Sequence, residues 1–156
     1  MGDYEKAEHF LIEAKKTFEK GLNKEDERVY LYREYYRILA VHQPPVFIME
    51  NVKGLLSSKV DNQSIFRQLI QDLQNPVESY KKLEGKAEVK SKIRYKIFSL
   101  VKKPTEYDLI DGSPLYDPKD YIIHAEKYGI PQTRHRVILL GIRNDIDITP
   151  DILQPG

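Results

Sequence analysis

Two short segments set ionisable side chains against strongly apolar flanks. The first is Glu50-Asn51-Val52, which follows the apolar run Val46-Phe47-Ile48-Met49. Open α/β sheets form their ligand crevice at the carboxyl ends of strands, and partial desolvation there favours the protonated, proton-donating form of a carboxyl group. The plain alternative is that Glu50 caps the turn expected over residues 50–54. The second segment is Gln132-Thr133-Arg134-His135-Arg136, which runs straight into Val137-Ile138-Leu139-Leu140-Gly141. Arg134 and Arg136 alternate with His135, so extended backbone sends both to one side. Two guanidinium groups at the mouth of a buried strand are costly unless anions or carbonyl oxygens meet them. A bound ligand can fill that need, and so can a local ion pair to Glu126 or Asp145.

The elements that position these segments read as a mixed α/β chain. Ala7, Phe10, Leu11, Ala14 and Phe18 recur at helical spacing between Asp3 and Gly21, which predicts an amphipathic helix over residues 4–21. A second helix is expected over 25–41, with Val29, Tyr32, Tyr35, Tyr36 and Leu39 inward and Pro44-Pro45 as its stop. The run 46–49 suits a strand buried on both faces of a parallel sheet. Ser64 is placed to cap a helix over 64–73, with Ile65, Phe66, Leu69, Ile70 and Leu73 inward. From Asn75 to Lys119 the pattern degrades, with a strand near 94–101 broken off by Pro104, Gly112, Pro114 and Pro118, and reads as a long insertion with an irregular hairpin. Strands are expected again over 120–125 and 136–142.

Composition narrows the classes. Apolar residues make up 40% and charged residues 31% of 156, enough for one compact core. The net charge of +1 neither demands nor excludes a nucleic-acid partner, so any basic surface must be local. The group Lys81, Lys82, Lys86, Lys90, Lys92, Arg94, Lys96, Lys102 and Lys103 is either such a patch or, more simply, a solvated insertion. There is no cysteine, which removes disulfides, thiolate metal sites and a thiolate nucleophile from this chain. No metal is expected. With no membrane-spanning run or signal-peptide pattern, the expected place is the cytoplasm, or the nucleus of a nucleated cell.

The stretch from Pro45 to Ser57 resembles the Glu-Asn-Val motif of DNA (cytosine-5)-methyltransferases, and Tyr128 to Arg143 resembles that family's Gln-x-Arg-x-Arg motif. The helical stretch Tyr30 to Leu39 is similar to the helix that precedes Glu-Asn-Val in these enzymes. Together the matches span roughly residues 26–145 in the family's order. The resemblance implies a partial Rossmann-like, three-layer α/β methyltransferase fold, with residues 25–156 as part of the catalytic domain, and it assigns no role to the N-terminal helix expected within 1–24. It implies S-adenosylmethionine as methyl donor, cytosine-containing duplex DNA as substrate and a restriction–modification setting. In the family's mechanism the cytosine is flipped out of the duplex, a cysteine attacks C6 and C5 takes the methyl group. The resemblance then gives Glu50 a hydrogen-bonding role toward N3 and the exocyclic amine, supplying a proton or its equivalent, and Arg136 a grip on O2. Arg134 would brace the site and a phosphate. Asn51 and Val52 would support the turn presenting Glu50, and Gln132 would order the loop before the arginines.

Two parts of the family pattern have no counterpart. Neither a Phe-x-Gly-x-Gly segment nor a Pro-Cys loop occurs in these residues. The chain is therefore expected to be inactive alone, as a fragment, a split subunit or a degenerate copy, with the remaining half of the enzyme or a second copy as partner. Cytosine methylation of RNA and non-catalytic nucleic-acid binding are the competing functions, and none of the motifs separates them from the DNA enzyme.

Overall fold

The computed structural model describes residues 27–60, 63–84 and 91–156. The helix expected over 4–21 lies outside them. The chain divides into two units, Met1–Tyr35 and Tyr36–Gly156, and the second carries both motifs.

Helix α1 spans Glu27–His42. Of its expected inward residues, Tyr36 and Leu39 are buried, joined by Ala40, while Tyr32 and Tyr35 are half-buried. The two prolines end it as expected. Gln43 takes a left-handed conformation at φ 46°. Its N–H closes on the Leu39 carbonyl at 3.1 Å, and its side-chain amide donates to Ala40 O at 3.1 Å. The chain then enters strand β1, Val46–Val52.

A 3-10 turn over Lys53–Ser57 leads from β1 to a short hairpin of β2, Lys59–Val60, and β3, Gln63–Ser64. Helix α2, Ile65–Gln74, begins where Ser64 accepts the Arg67 N–H at 3.4 Å, and it buries Phe66, Leu69 and Leu73. That bond is long, so Ser64→Ala is expected to cost about 0.5–1 kcal/mol, the low end for a lost N-cap. A urea unfolding curve measures it directly.

The stretch read as an irregular insertion contains a helix, a strand of the main sheet and a small hairpin. Helix α3, Pro76–Glu84, follows α2 at once. Pro76 can open it, because at the first turn of a helix the missing N–H removes no bond and the fixed φ suits the start. Strand β4, Tyr95–Phe98, is fully formed. The expected hairpin is a small one, of β5, Glu106–Tyr107, and β6, Pro114–Leu115. Instead of one strand over 120–125 there is a 3-10 turn at Pro118–Tyr121, a three-residue strand β7 at Ile122–His124 and a second 3-10 turn at Ala125–Tyr128. The last strand, β8, runs His135–Arg143.

β8 organises the sheet. β1 pairs along one edge, with Val46 opposite Ile142 and Val52 opposite Arg136. β4 and β7 share the other edge, β4 opposite residues 140–143 and β7 opposite 135–137. All three ladders are antiparallel, which makes β1 and β4 parallel to each other with β8 between them. This corrects the expectation of a parallel strand buried on both faces. Phe47 and Met49 are buried, but Val46, Ile48 and Val52 on the opposite face are 48%, 62% and 55% exposed. An apolar run conceals this difference, because both faces carry hydrophobic residues whichever one is covered.

The main core lies on the Phe47 face. Phe47 packs edge-on against Tyr95 with ring centroids 5.0 Å apart. Val137, Leu139 and Ile97 are sealed from water beside them, as are Phe66, Leu69 and Leu73 of α2. Tyr121 meets the Phe66 ring at 5.6 Å and donates weakly to the Ile97 carbonyl at 3.5 Å. A smaller cluster, Phe98, Leu140 and Ile142 with Leu100 and Ile146, covers part of the other face. Ser99 ties these parts together. Its hydroxyl donates to Asp120 O at 2.5 Å and accepts the N–H groups of Val101 and Lys102 at 3.0 and 3.1 Å. Ser99 is 2% exposed. Ser99→Ala strands a buried carbonyl and two N–H groups, and should cost about 1–3 kcal/mol in a denaturant titration.

Candidate active site

Glu50, Asn51 and Val52 belong to β1 itself and not to a turn after it, because the ladder with β8 continues through Ile138, Val137 and Arg136. Strand alternation places Val46, Ile48, Glu50 and Val52 on one face, and their cross-strand partners Ile142, Leu140, Ile138 and Arg136 share it. Glu50 and Arg136 are diagonal neighbours in this register, close enough for long side chains to meet. They do: Arg136 Nε lies 2.7 Å from Glu50 Oε1. Arg136 Nη1 also donates to the carbonyl of His135 at 2.9 Å. The partner of Arg136 is therefore Glu50, and neither Glu126 nor Asp145. Glu126 faces His135, while Asp145 receives a two-bond fork from Arg143 at 2.7 and 3.0 Å.

Burial departs from the expectation of a desolvated acid. The Glu50 side chain is 52% exposed and that of Arg136 27%. Among the described residues nothing covers the carboxylate, so the charged pair faces outward from the sheet beside the apolar strip of Val46, Ile48 and Val52.

The remaining motif residues are placed less directly. Arg134 precedes β8 and is exposed, and its carbonyl accepts the Ala125 N–H at 3.1 Å. Gln132 is exposed in the loop between Gly129 and β8, its N–H held by Ile130 O at 2.7 Å. Gly129 ends the preceding turn in the left-handed conformation at φ 79°, which its lack of a Cβ permits without strain. Asn51 is half-buried in β1 opposite Val137.

The sequence reading missed one group. His124, Glu126 and His135 bring three ligating atoms within 4.8 Å of one another. The Glu126 carboxyl is held below its usual range by its own backbone N–H and by the His135 ring. The His-x-Glu spacing of 124–126 was the available signal, and only the β7–β8 ladder brings His135 to it. In the basic group, Lys81, Arg94, Lys102 and Lys103 are occupied by Glu78, Asp111, Asp120 and Asp151 respectively. That favours a solvated surface over a free basic patch.

A carboxylate and a guanidinium fixed side by side at the strand ends of an α/β sheet form a hydrogen-bonding edge suited to a flat, polar heterocycle. Residues 18–81 and 111–155, well over half of the chain, match the model of C-5 cytosine-specific DNA methylase. The chain belongs to this family, and its α/β fold is part of the family's Rossmann-like domain. The unmatched residues 82–110 fall within the stretch read as an insertion. The chain is 29% identical over 123 residues to the type II methyltransferase M.BspRI of Lysinibacillus sphaericus, covering 79% of this chain and 20% of that protein. It is 27% identical over 133 residues to M.DdeI of Desulfomicrobium norvegicum, covering 85% and 23% respectively. For M.BsuRI of Bacillus subtilis the identity is 26% over 122 residues, covering 78% and 19%. The chain thus spans about a fifth of the length of the curated relatives it matches. No helix among the described residues is long and apolar enough to cross a membrane.

The family's methyl donor is S-adenosylmethionine, and the described residues do not build a holder for it. Gly54, Gly112 and Gly129 lie in turns, and Gly141 is packed against the Phe47 ring inside the sheet. None of them forms a glycine-rich loop at a strand end, the cradle such a cofactor needs.

Proposed function

We propose that this chain supplies the base-activating half of a DNA cytosine-5 methyltransferase active site. The observation that carries the reading is the 2.7 Å contact between Arg136 Nε and Glu50 Oε1, which joins the two family motifs at adjacent strand ends. Arg136 commits Nε to Glu50 and Nη1 to the His135 carbonyl. Among the described residues that leaves Nη2 to donate to a ligand, and it leaves Glu50 Oε2 as an acceptor. A flipped-out cytosine offers O2 as acceptor and its exocyclic amine as donor, so one edge of the base satisfies both. Nucleophilic attack at C6 drives negative charge toward N3 and O2. A guanidinium already fixed at O2 lowers the energy of that charge without reorganising as it forms. Arg134, exposed two residues before Arg136, is read as meeting a backbone phosphate, with Gln132 and Asn51 supporting the loop and the strand.

The nucleophile is not in this chain, since it has no cysteine. Residues 25–156 are read as part of the catalytic domain. The exposed strip of Val46, Ile48 and Val52 beside the charged pair is read as the surface that the rest of the enzyme covers.

The test is transfer of a radiolabelled methyl group from S-adenosylmethionine to cytosine-containing duplex DNA. The purified chain alone should give background. Adding a polypeptide that carries a family Pro-Cys loop and glycine-rich motif should give transfer. Methylation by the chain alone would sink the assignment, because it would require a nucleophile other than the family's thiolate.

A further inference from the structure

Three ligating atoms converge on the sheet face opposite the Glu50–Arg136 pair. His124 ends β7, Glu126 sits in the following 3-10 turn and His135 opens β8, directly opposite His124 in the ladder. His124 Nδ1 lies 3.1 Å from His135 Nε2. Glu126 Oε1 lies 2.9 Å from His135 Nε2 and 3.5 Å from His124 Nδ1. We propose that His124, Glu126 and His135 bind a zinc-type divalent cation that staples β7 to β8 next to the two motif arginines.

An imidazole nitrogen carries at most one proton. His135 Nε2 has two close neighbours, a carboxylate oxygen and an imidazole nitrogen, and can donate fully to only one of them. If His124 Nδ1 is the donor instead, His135 Nε2 turns a lone pair toward a carboxylate 2.9 Å away. In either arrangement one short contact has no proton of its own. A cation at the centre removes the shortage by accepting a lone pair from each atom.

Zinc bonds of about 2.0–2.2 Å to nitrogen and oxygen place neighbouring ligand atoms of a tetrahedron roughly 3.3–3.5 Å apart. The separations of 2.9, 3.1 and 3.5 Å differ from that by no more than small side-chain rotations. An ion about 2.05 Å from all three atoms would sit roughly 0.9 Å above their plane. Two imidazoles and one carboxylate favour zinc and its transition-metal neighbours over magnesium or calcium, which prefer oxygen. The side chains of His124, Glu126 and His135 are 35%, 36% and 26% exposed, so water can complete the coordination.

Strand alternation decides what the cation would do. It sends Arg136 to one face and His135 to the other, so bound metal acts on Arg136 through the backbone. It would fix residues 134–136 against β7 at the point where Arg134 O already accepts the Ala125 N–H. This inference does not depend on the proposed methyl transfer, and its test reads metal binding alone.

The experiment is calorimetric titration of the chelator-treated, dialysed 156-residue chain with zinc chloride. One saturable equivalent is expected, and magnesium chloride should give none. Cobalt(II) should develop the visible d–d bands of a four-coordinate nitrogen/oxygen site. Glu126→Gln and His124→Asn should each weaken zinc binding by at least ~100-fold, since each deletes a direct ligand and even an outer-sphere partner is worth 10–100-fold. His42→Asn should change nothing. Zinc should raise the urea midpoint of the unsubstituted chain and not that of the ligand variants, whose circular dichroism shows whether they fold. The proposal is overturned if zinc affinity survives Glu126→Gln, if His42→Asn abolishes it, or if the unsubstituted chain gives no saturable heat.

Discussion

Arg136→Ala, measured in the complemented enzyme, should lower turnover by about two to three orders of magnitude, or roughly 3–4 kcal/mol of barrier. The size follows from what the side chain is positioned to do. Arg136 is pinned by Glu50 at 2.7 Å and by the His135 carbonyl at 2.9 Å, so its remaining amino group is fixed before the base arrives. A donor held in this way gains strength as charge builds on the ring, and its loss falls on the transition state. On the proposed function the base is also gripped in the ground state, so Arg136→Ala should weaken retention of the flipped cytosine as well. Glu50→Gln separates the two contributions. It keeps the shape and a hydrogen-bonding oxygen but loses the charge and the protonation chemistry. Its turnover should fall far more than its DNA affinity. Single-turnover methylation together with equilibrium DNA binding distinguishes the cases. Equal losses in rate and affinity for Glu50→Gln would mean that the pair is a structural clamp between β1 and β8.

The largest expected effect on stability is at Gly141. A Cβ there would overlap the Phe47 ring. Phe47 cannot turn away cheaply, because it is 7% exposed and its ring packs edge-on against Tyr95 at 5.0 Å. Gly141 lies opposite Phe47 in one ladder and opposite Ile97 in the other, so backbone movement would disturb both edges of β8. Gly141→Ala should therefore destabilise the chain by about 3 kcal/mol, the upper part of the range for overpacked cores. Shortening the ring with Phe47→Leu in the same chain should recover part of the loss, so the two changes should be non-additive in urea unfolding. A neutral Gly141→Ala would show that this layer is looser than its burial indicates. A glycine inside an apolar strand attracts little notice in the sequence, and its purpose is visible only across the ladder.

Some of the fold was legible because its signals are local. Ser64 before an apolar helical stripe gave α2 its cap, and Pro44-Pro45 gave α1 its end. The apolar runs gave β8 to within a residue at each end and the start of β1, although β1 continues three residues past its apolar run. Helix α3 was not legible, since nine residues give an apolar periodicity little length in which to show. The motif around Glu50 was found, but its setting was misjudged. Whether a strand continues through Glu50-Asn51-Val52 depends on β8 pairing beside it, and a carboxyl group's exposure depends on what covers that face.

The sequence by itself determined the family, the identities of Glu50, Arg134 and Arg136, and the absence of any thiolate, because residue types and short spacings are written in the chain. The tertiary structure decided which arginine meets Glu50, which face of β1 is exposed and that His135 joins His124 and Glu126. Each of these depends on the register between strands distant in the chain. A shift of one residue in that register would send every one of these side chains to the opposite face.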